Sequence, residues 1–188
     1  KDKPIMSLYE ELNEKVTQVV IGKRLTYELF FNYASTLSGY VALSNSDIFF
    51  NYTLANVFRS PLYYTKSCFA QLRFESNGKI HRIPWAQDSW IFHSRWIPRI
   101  VKGSNFPLGK VGCDNRIAYL IDYAGFKLYN EPWRIMTFHL HTSAVRTYSQ
   151  ADAVRGPYLL IKPNLDMAQS RPPRPTYQIT EPAISETG

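Results

Sequence analysis

Cysteine is scarce: the 188-residue chain holds only Cys68 and Cys113. Two thiols in a chain of this size do not make the disulfide framework of a small secreted protein, so a reducing, cytoplasmic setting is expected. No apolar run approaches the roughly 20 residues of a membrane-spanning helix. A signal pattern is also lacking. The chain opens on Lys1-Asp2-Lys3-Pro4 without an initiating Met, which leaves room for an upstream piece. There is no P-loop, no GxGxxG fingerprint, no GxSxG elbow and no zinc-type cysteine spacing. These absences remove the familiar sequence routes to nucleotide-cradling loops, serine hydrolases and structural zinc sites.

Hydrophobic residues make up 45% of the chain and aromatics 15%, a composition that can bury a core in a single domain. The net charge is +7, and it is concentrated: Lys66–Arg116 carries nine Lys or Arg against Glu75, Asp88 and Asp114. A basic face suits a polyanion or a phosphorylated ligand, and a solvated surface would look the same.

Ile5–Glu10 and Val16–Ile21 have strand composition, and Leu29, Phe30, Tyr33, Ala34 and Leu37 recur at helical spacing behind a capping Thr26. Gly39 ends that helix. Tyr40–Leu43 then reads as a continuous apolar strand, buried on both faces and central to its sheet. Strand, helix, strand in that order predicts an α/β sheet with parallel neighbours and right-handed crossovers. Thr53–Phe58 reads as a short helix, and Lys66–Glu75 and Lys79–Ile83 as strands joined through the hairpin turn Asn77-Gly78. Pro84–Trp96 is aromatic and irregular, and Phe106–Cys113 is a glycine-containing loop. Asp114–Ala124 is a helix with Asp114 as its N-cap and Gly125 as its stop, and Phe126–Tyr129 and Arg134–His141 are further strands. The Pro-rich 163–188 segment cannot build a core and reads as a linker or tail, leaving 1–162 as the folded domain.

Few side chains are suited to chemistry. Asn45-Ser46-Asp47 follows the apolar strand, at the strand end where ligands bind in open α/β sheets. The same three residues are also good turn formers. His139 and His141 fall on one face of a strand, either as metal ligands alongside Asp47 or as hydrogen-bonded half-buried histidines. Asp114 caps its helix and can also serve as a base. Asp88 sits among Trp85, Trp90 and Trp96, where a sugar ring can stack or a core can pack. Lys23-Arg24, between a strand and a helix, can contact a phosphate or line a solvated loop.

The segments GKRLTYELFFNYA (22–34), NSDIFF (45–50), QDSWIF (87–92), FPLGKVGCDNRIAYLI (106–121) and GPYLLI (156–161) together resemble glycosyltransferases of the GT-A type. Within that class they are most similar to a small subgroup found in bacteria, algae and large algal viruses. That subgroup includes N-terminal domains of multi-domain chlorella-virus proteins that help build capsid glycans. The resemblance implies a GT-A-like, Rossmann-like sheet, mixed but mainly parallel and flanked by helices. It also implies a divalent ion, Mn²⁺ or Mg²⁺, and a UDP-sugar donor, with glucose or rhamnose as the sugar. The acceptor would be a hydroxyl of a growing glycan on a viral coat protein, and further domains of the same chain would be partners; nucleic acid would not. Carried over, Asp47 binds metal and diphosphate, and His139 or His141 completes the metal shell. Asp114 or Asp88 is then the base if the enzyme inverts, with Lys23, Arg24 and Asn45 around the donor. Asn45 stands where the family's metal motif has an acid, so Asp47 alone brings full charge there. Two other readings compete: a basic nucleic-acid-binding module or metal-dependent nuclease, and an inactive sugar-binding scaffold.

Overall fold

The computed structural model describes residues 16–100, 102–140 and 150–166. Within them, two helices and six short strands form a small mixed α/β domain. Helix α1 (Tyr27–Ala34) starts where expected, since Thr26 Oγ1 accepts from the Leu29 N–H at 3.2 Å. Tyr27, Phe31 and Ala34 recur every three or four residues and turn one buried face inward. Ser35 and Thr36 then hydrogen-bond back to Asn32 and Tyr33 carbonyls, and Gly39 at φ 104° turns the chain into β1 (Tyr40–Ser44).

The main sheet has the order β1-β4-β3-β5, with β3 at Ser67–Leu72, β4 at Gln87–His93 and β5 at Lys127–Tyr129. Strands β1 and β3 both run antiparallel to β4, and only β3 and β5 are parallel. The sheet is therefore mixed, as expected, but the parallel pairing expected to dominate holds for one of its three pairs. Strand β1 is an edge strand, not the central one: Val41 and Leu43 face the core while Ala42 is exposed. The fully buried strand is β3, and the segment expected to be irregular supplies the inner strand β4. Its QDSWIFH sequence does not alternate and is buried at most positions, so it lacks the strand period, and Trp85 and Trp96 flank it. A second, two-stranded sheet pairs β2 (Ile48–Phe50) with β6 (Thr137–His139) in antiparallel register.

The core lies on both faces of the main sheet. On one, Trp90, Phe92, Cys68 and Ala70 meet α1 and helix α2 (Cys113–Tyr123) through Phe31, Ile117 and Ile121. On the other, Phe69 and Ile91 meet Val57, Leu62 and Ile135, which the 3-10 helices Tyr52–Arg59 and Pro61–Tyr63 help to supply. Residues 16–21 form no strand, and Val16, Val19, Val20 and Ile21 are exposed. β-branched composition marks a fit to a half-buried pleated surface, and among the described residues no strand pairs with this segment. Ile5–Glu10 and 167–188 lie outside the described residues. Beyond Pro157 the chain stays tied to the domain. Leu159 N–H donates to Asn115 O, Gln87 and Asn130 both donate to Ile161 O, and Asn164 N–H donates to Asn130 O.

Candidate functional site

At the end of β1 the chain leaves the main sheet through a turn, with the Ile48 N–H donating to Asn45 O at 3.2 Å. The turn chemistry is thus present, and it places Asp47 at the start of β2. Strand β2 pairs with β6 so that Ile48 stands opposite His139, and the Leu140 N–H closes on Asp47 O at 2.9 Å. This register brings the side chains of Asp47 and His139 together across 92 residues, with Nε2 3.1 Å from Oδ2. Both remain accessible, with side-chain exposures of 35% and 19%.

The chain following β3 supplies the rest. Phe74 bonds β6 on both sides, its N–H to Thr137 O and its carbonyl from the His139 N–H. Arg73 and Glu75 are thereby carried into the row beside His139. The turn at Asn77-Gly78 closes as its sequence suggests, with Gly78 at φ 76°, Glu75 and Lys79 bonded through their backbones and the His81 N–H reaching Arg73 O, but the strand expected at Lys79–Ile83 is reduced to an isolated bridge between Phe74 and Ile80. Glu75 then faces His139 Nδ1 at 3.4 Å through Oε2, while its Oε1 receives His81 Nδ1 and lies 3.5 Å from Arg73 Nε. Burial alone would raise the Glu75 carboxyl. The His81 hydrogen bond and the charges of Arg73, His81 and His139 outweigh it and hold the group below the usual carboxylate range.

Arg73 continues the row through an ion pair to Asp88 Oδ2, and the other Asp88 oxygen accepts from the Asn45 amide at 2.8 Å. Asp114 stands at the far end. It is not the N-cap: Gly112, at φ 72°, takes that position with no side-chain bond, and Asp114 lies in the first turn of α2. Its carboxyl is pushed up to about 6. Burial is the main cause and the Asp88 charge adds to it, against backbone N–H bonds from Asn115, Asp114 and Gln87. The bond from Gln87, the residue before Asp88, sets the two acids at one end of β4.

Asn45, Asp47, Asp88, Asp114 and His139 are thus drawn into one polar row along the ends of β1, β4 and β6. Lys23 and Arg24 are not part of it. Arg24 donates to Leu108 O and Gly109 O at 3.1 and 3.2 Å and so pins the loop that leads into α2, and Lys23 is exposed. His141 lies outside the described residues. Sequence reasoning missed Arg73, Glu75 and His81. The hairpin signal at Asn77-Gly78 held the clue, because it forces residues before and after it into contact. Several cations of Lys66–Arg116 are engaged within the fold. Lys66 bonds Ala124 O, Arg73 pairs with Asp88, Arg95 lies over Tyr63, Lys110 pairs with Asp152, and Arg116 bonds Pro157 O.

Among the described residues, no group of three or more His, Cys, Asp or Glu is arranged to hold a metal ion. Asp47 and His139 meet as a hydrogen-bonded pair at 3.1 Å, a separation that two adjacent ligands of a divalent ion would share, since bonds of about 2.1 Å at right angles place ligand atoms about 3 Å apart. An ion held by one carboxylate and one imidazole completes its shell with water and substrate phosphate. No protein-family model, curated protein or solved structure matches this chain.

Proposed function

We propose that the chain is a metal-dependent glycosyltransferase of GT-A-like architecture. It would move a sugar from a nucleotide-sugar donor, a UDP-sugar, to a hydroxyl of a growing glycan. The observation that carries this reading is the row itself. A carboxylate–imidazole pair suited to a divalent ion stands at one end, and a carboxyl raised to about 6 stands at the other. Donor activation and acceptor deprotonation need these two chemistries at separate points of one cleft. The mixed sheet, with Asp47 just past the end of a strand, agrees with the same architecture.

In this reading Asp47 and His139 would hold Mn²⁺ or Mg²⁺, which would supply positive charge against the leaving diphosphate. Asn45, tied to Asp88, presents its neutral amide beside them. Asp88 and Asp114 take different roles. Both oxygens of Asp88 already have partners in Arg73 and Asn45, so it is a structural anchor. Asp114 keeps a carboxyl poised to exchange a proton near neutral pH, which is what a general base requires. In an inverting displacement the acceptor hydroxyl oxygen bonds to the anomeric carbon and the bond to the diphosphate breaks. The hydroxyl proton passes to Asp114.

Thermal unfolding with ligands tests the reading. UDP with Mn²⁺ is expected to raise Tm by several degrees, since a 100-fold excess over Kd stabilises by about 2.7 kcal/mol. Asp47→Ala should fold normally and lose that shift. No shift with UDP, GDP or dTDP, with or without metal, would refute the proposal. Salt-dependent binding of random oligonucleotides in its place would favour the nucleic-acid reading. Sugar binding indifferent to nucleotide and metal would favour the scaffold.

A further inference from the structure

The imidazole of His139 lies between two carboxylates. Nε2 is 3.1 Å from Asp47 Oδ2, and Nδ1 is 3.4 Å from Glu75 Oε2. A neutral imidazole has one N–H and one lone pair. With the N–H on Nδ1 toward Glu75, the lone pair of Nε2 points to the Asp47 side, where an ion would sit. Glu75 cannot ligate that same ion, because it meets the opposite ring nitrogen. Its own orientation is determined by the fold. His81 and Arg73 hold Oε1, and the Asn77-Gly78 hairpin fixes the backbone that carries all three side chains. Arg73 also reaches Asp88, so the anchor is shared with the other end of the row.

We infer that Glu75, oriented by His81 and Arg73, is a positioning residue that fixes the His139 ring and tautomer so that Nε2 is its metal-binding atom. The inference rests on the metal-dependent reading above and adds to it Glu75, His81 and Arg73, on the Nδ1 side of the His139 ring. Carboxylates that orient ligand histidines in this way typically change metal affinity 10- to 100-fold when lost.

The test titrates Mn²⁺ into the full chain saturated with UDP, with free Mn²⁺ read by electron paramagnetic resonance, for the wild type, Glu75→Gln and Asp47→Ala. Glu75→Gln is expected to weaken Mn²⁺ binding at least 10-fold. In turnover the apparent KM for Mn²⁺ should rise while kcat at saturating Mn²⁺ stays near the wild-type value. Nitrogen NMR of the wild type loaded with diamagnetic Zn²⁺ gives a second readout that does not depend on the variant folding. His139 should show a protonated Nδ1 and a metallated Nε2. Unchanged Mn²⁺ affinity in Glu75→Gln, beside loss in Asp47→Ala, overturns the positioning role and leaves the functional reading standing. A ring metallated through Nδ1 overturns the role on its own. A wild type that takes up no Mn²⁺ in the presence of UDP sinks both.

Discussion

Asp114→Asn should change how stability depends on pH, and the size of the change follows from one carboxyl. Folding raises that group from 3.8 to about 6, through burial and the nearby Asp88 charge. A rise of roughly two units corresponds to about 3 kcal/mol. Asp114 is only half-buried, so solvent screening trims this toward about 2 kcal/mol. The folded state holds the proton more tightly than the unfolded chain. Stability tied to this group is therefore fully present below about pH 4, declines as pH rises through about 6, and is then lost. Asparagine has nothing to titrate, so the variant lacks that decline. Urea unfolding of both proteins at intervals from pH 4 to 8 gives the difference directly. Carboxylates common to both, Glu75 among them, largely cancel in the subtraction. The variant should gain on the wild type by about 2 kcal/mol across this window, with most of the change between pH 4 and 6.5. A difference that stays flat over the window would refute the raised carboxyl, and with it the case for Asp114 over Asp88 as the base.

Transfer activity should move with the same group: kcat/KM is expected to rise with pH through about 6 in the wild type, and Asp114→Asn should abolish transfer while nucleotide binding, read by thermal shift, persists. Arg73→Met strips Asp88 and Glu75 of their shared cation, and urea unfolding at pH 7 should show a loss on the order of 2–3 kcal/mol, less than for a wholly buried pair. Thr26→Ala removes the cap of α1 and should cost about 1 kcal/mol by the same assay. Phe92→Ala, at a site where the ring packs edge-on against both Phe31 and Phe126, should cost about 3–5 kcal/mol and lower Tm accordingly.

Local features of the fold were legible where a residue's own chemistry decides the outcome. Thr26 caps α1 through its hydroxyl, Gly39 turns the chain through a positive φ, and Asn77-Gly78 closes its hairpin. Each needs only near neighbours in sequence. Strand order is different. Tyr40–Leu43 looks central because it is apolar throughout, but its place at the edge depends on which strand comes to lie beside it. The strand that does so is β4, whose inward Trp90 and Phe92 were masked by the aromatics flanking it. A one-dimensional pattern measures burial better than adjacency, so the edge strand and the inner strand exchanged places. The same limit applies to Val16–Ile21, where strand composition meets no neighbouring strand.

For the candidate site, the individual residues could be found in sequence but the connections between them could not. Asp47, Asp88, Asp114 and His139 each stood out as an acid or imidazole in an apolar setting, and all four fall in one row. What orders them is the set of groups between, and these look ordinary in sequence: an arginine, a glutamate and a histidine around a turn. Arg73 and Asn45 occupy both oxygens of Asp88, while Asp114 is buried against backbone N–H groups and the charge of a neighbouring acid. Two carboxylates that a sequence cannot tell apart are thereby separated, one made an anchor and the other made basic enough to accept a proton near neutrality. That separation comes from long-range pairing. Arg73 reaches Asp88 because β3 pairs with β4, with Leu72 opposite Gln87, and Asn45 reaches it because β1 lies against β4. Loosening either pairing should therefore blur the difference between the acids before it unfolds the domain.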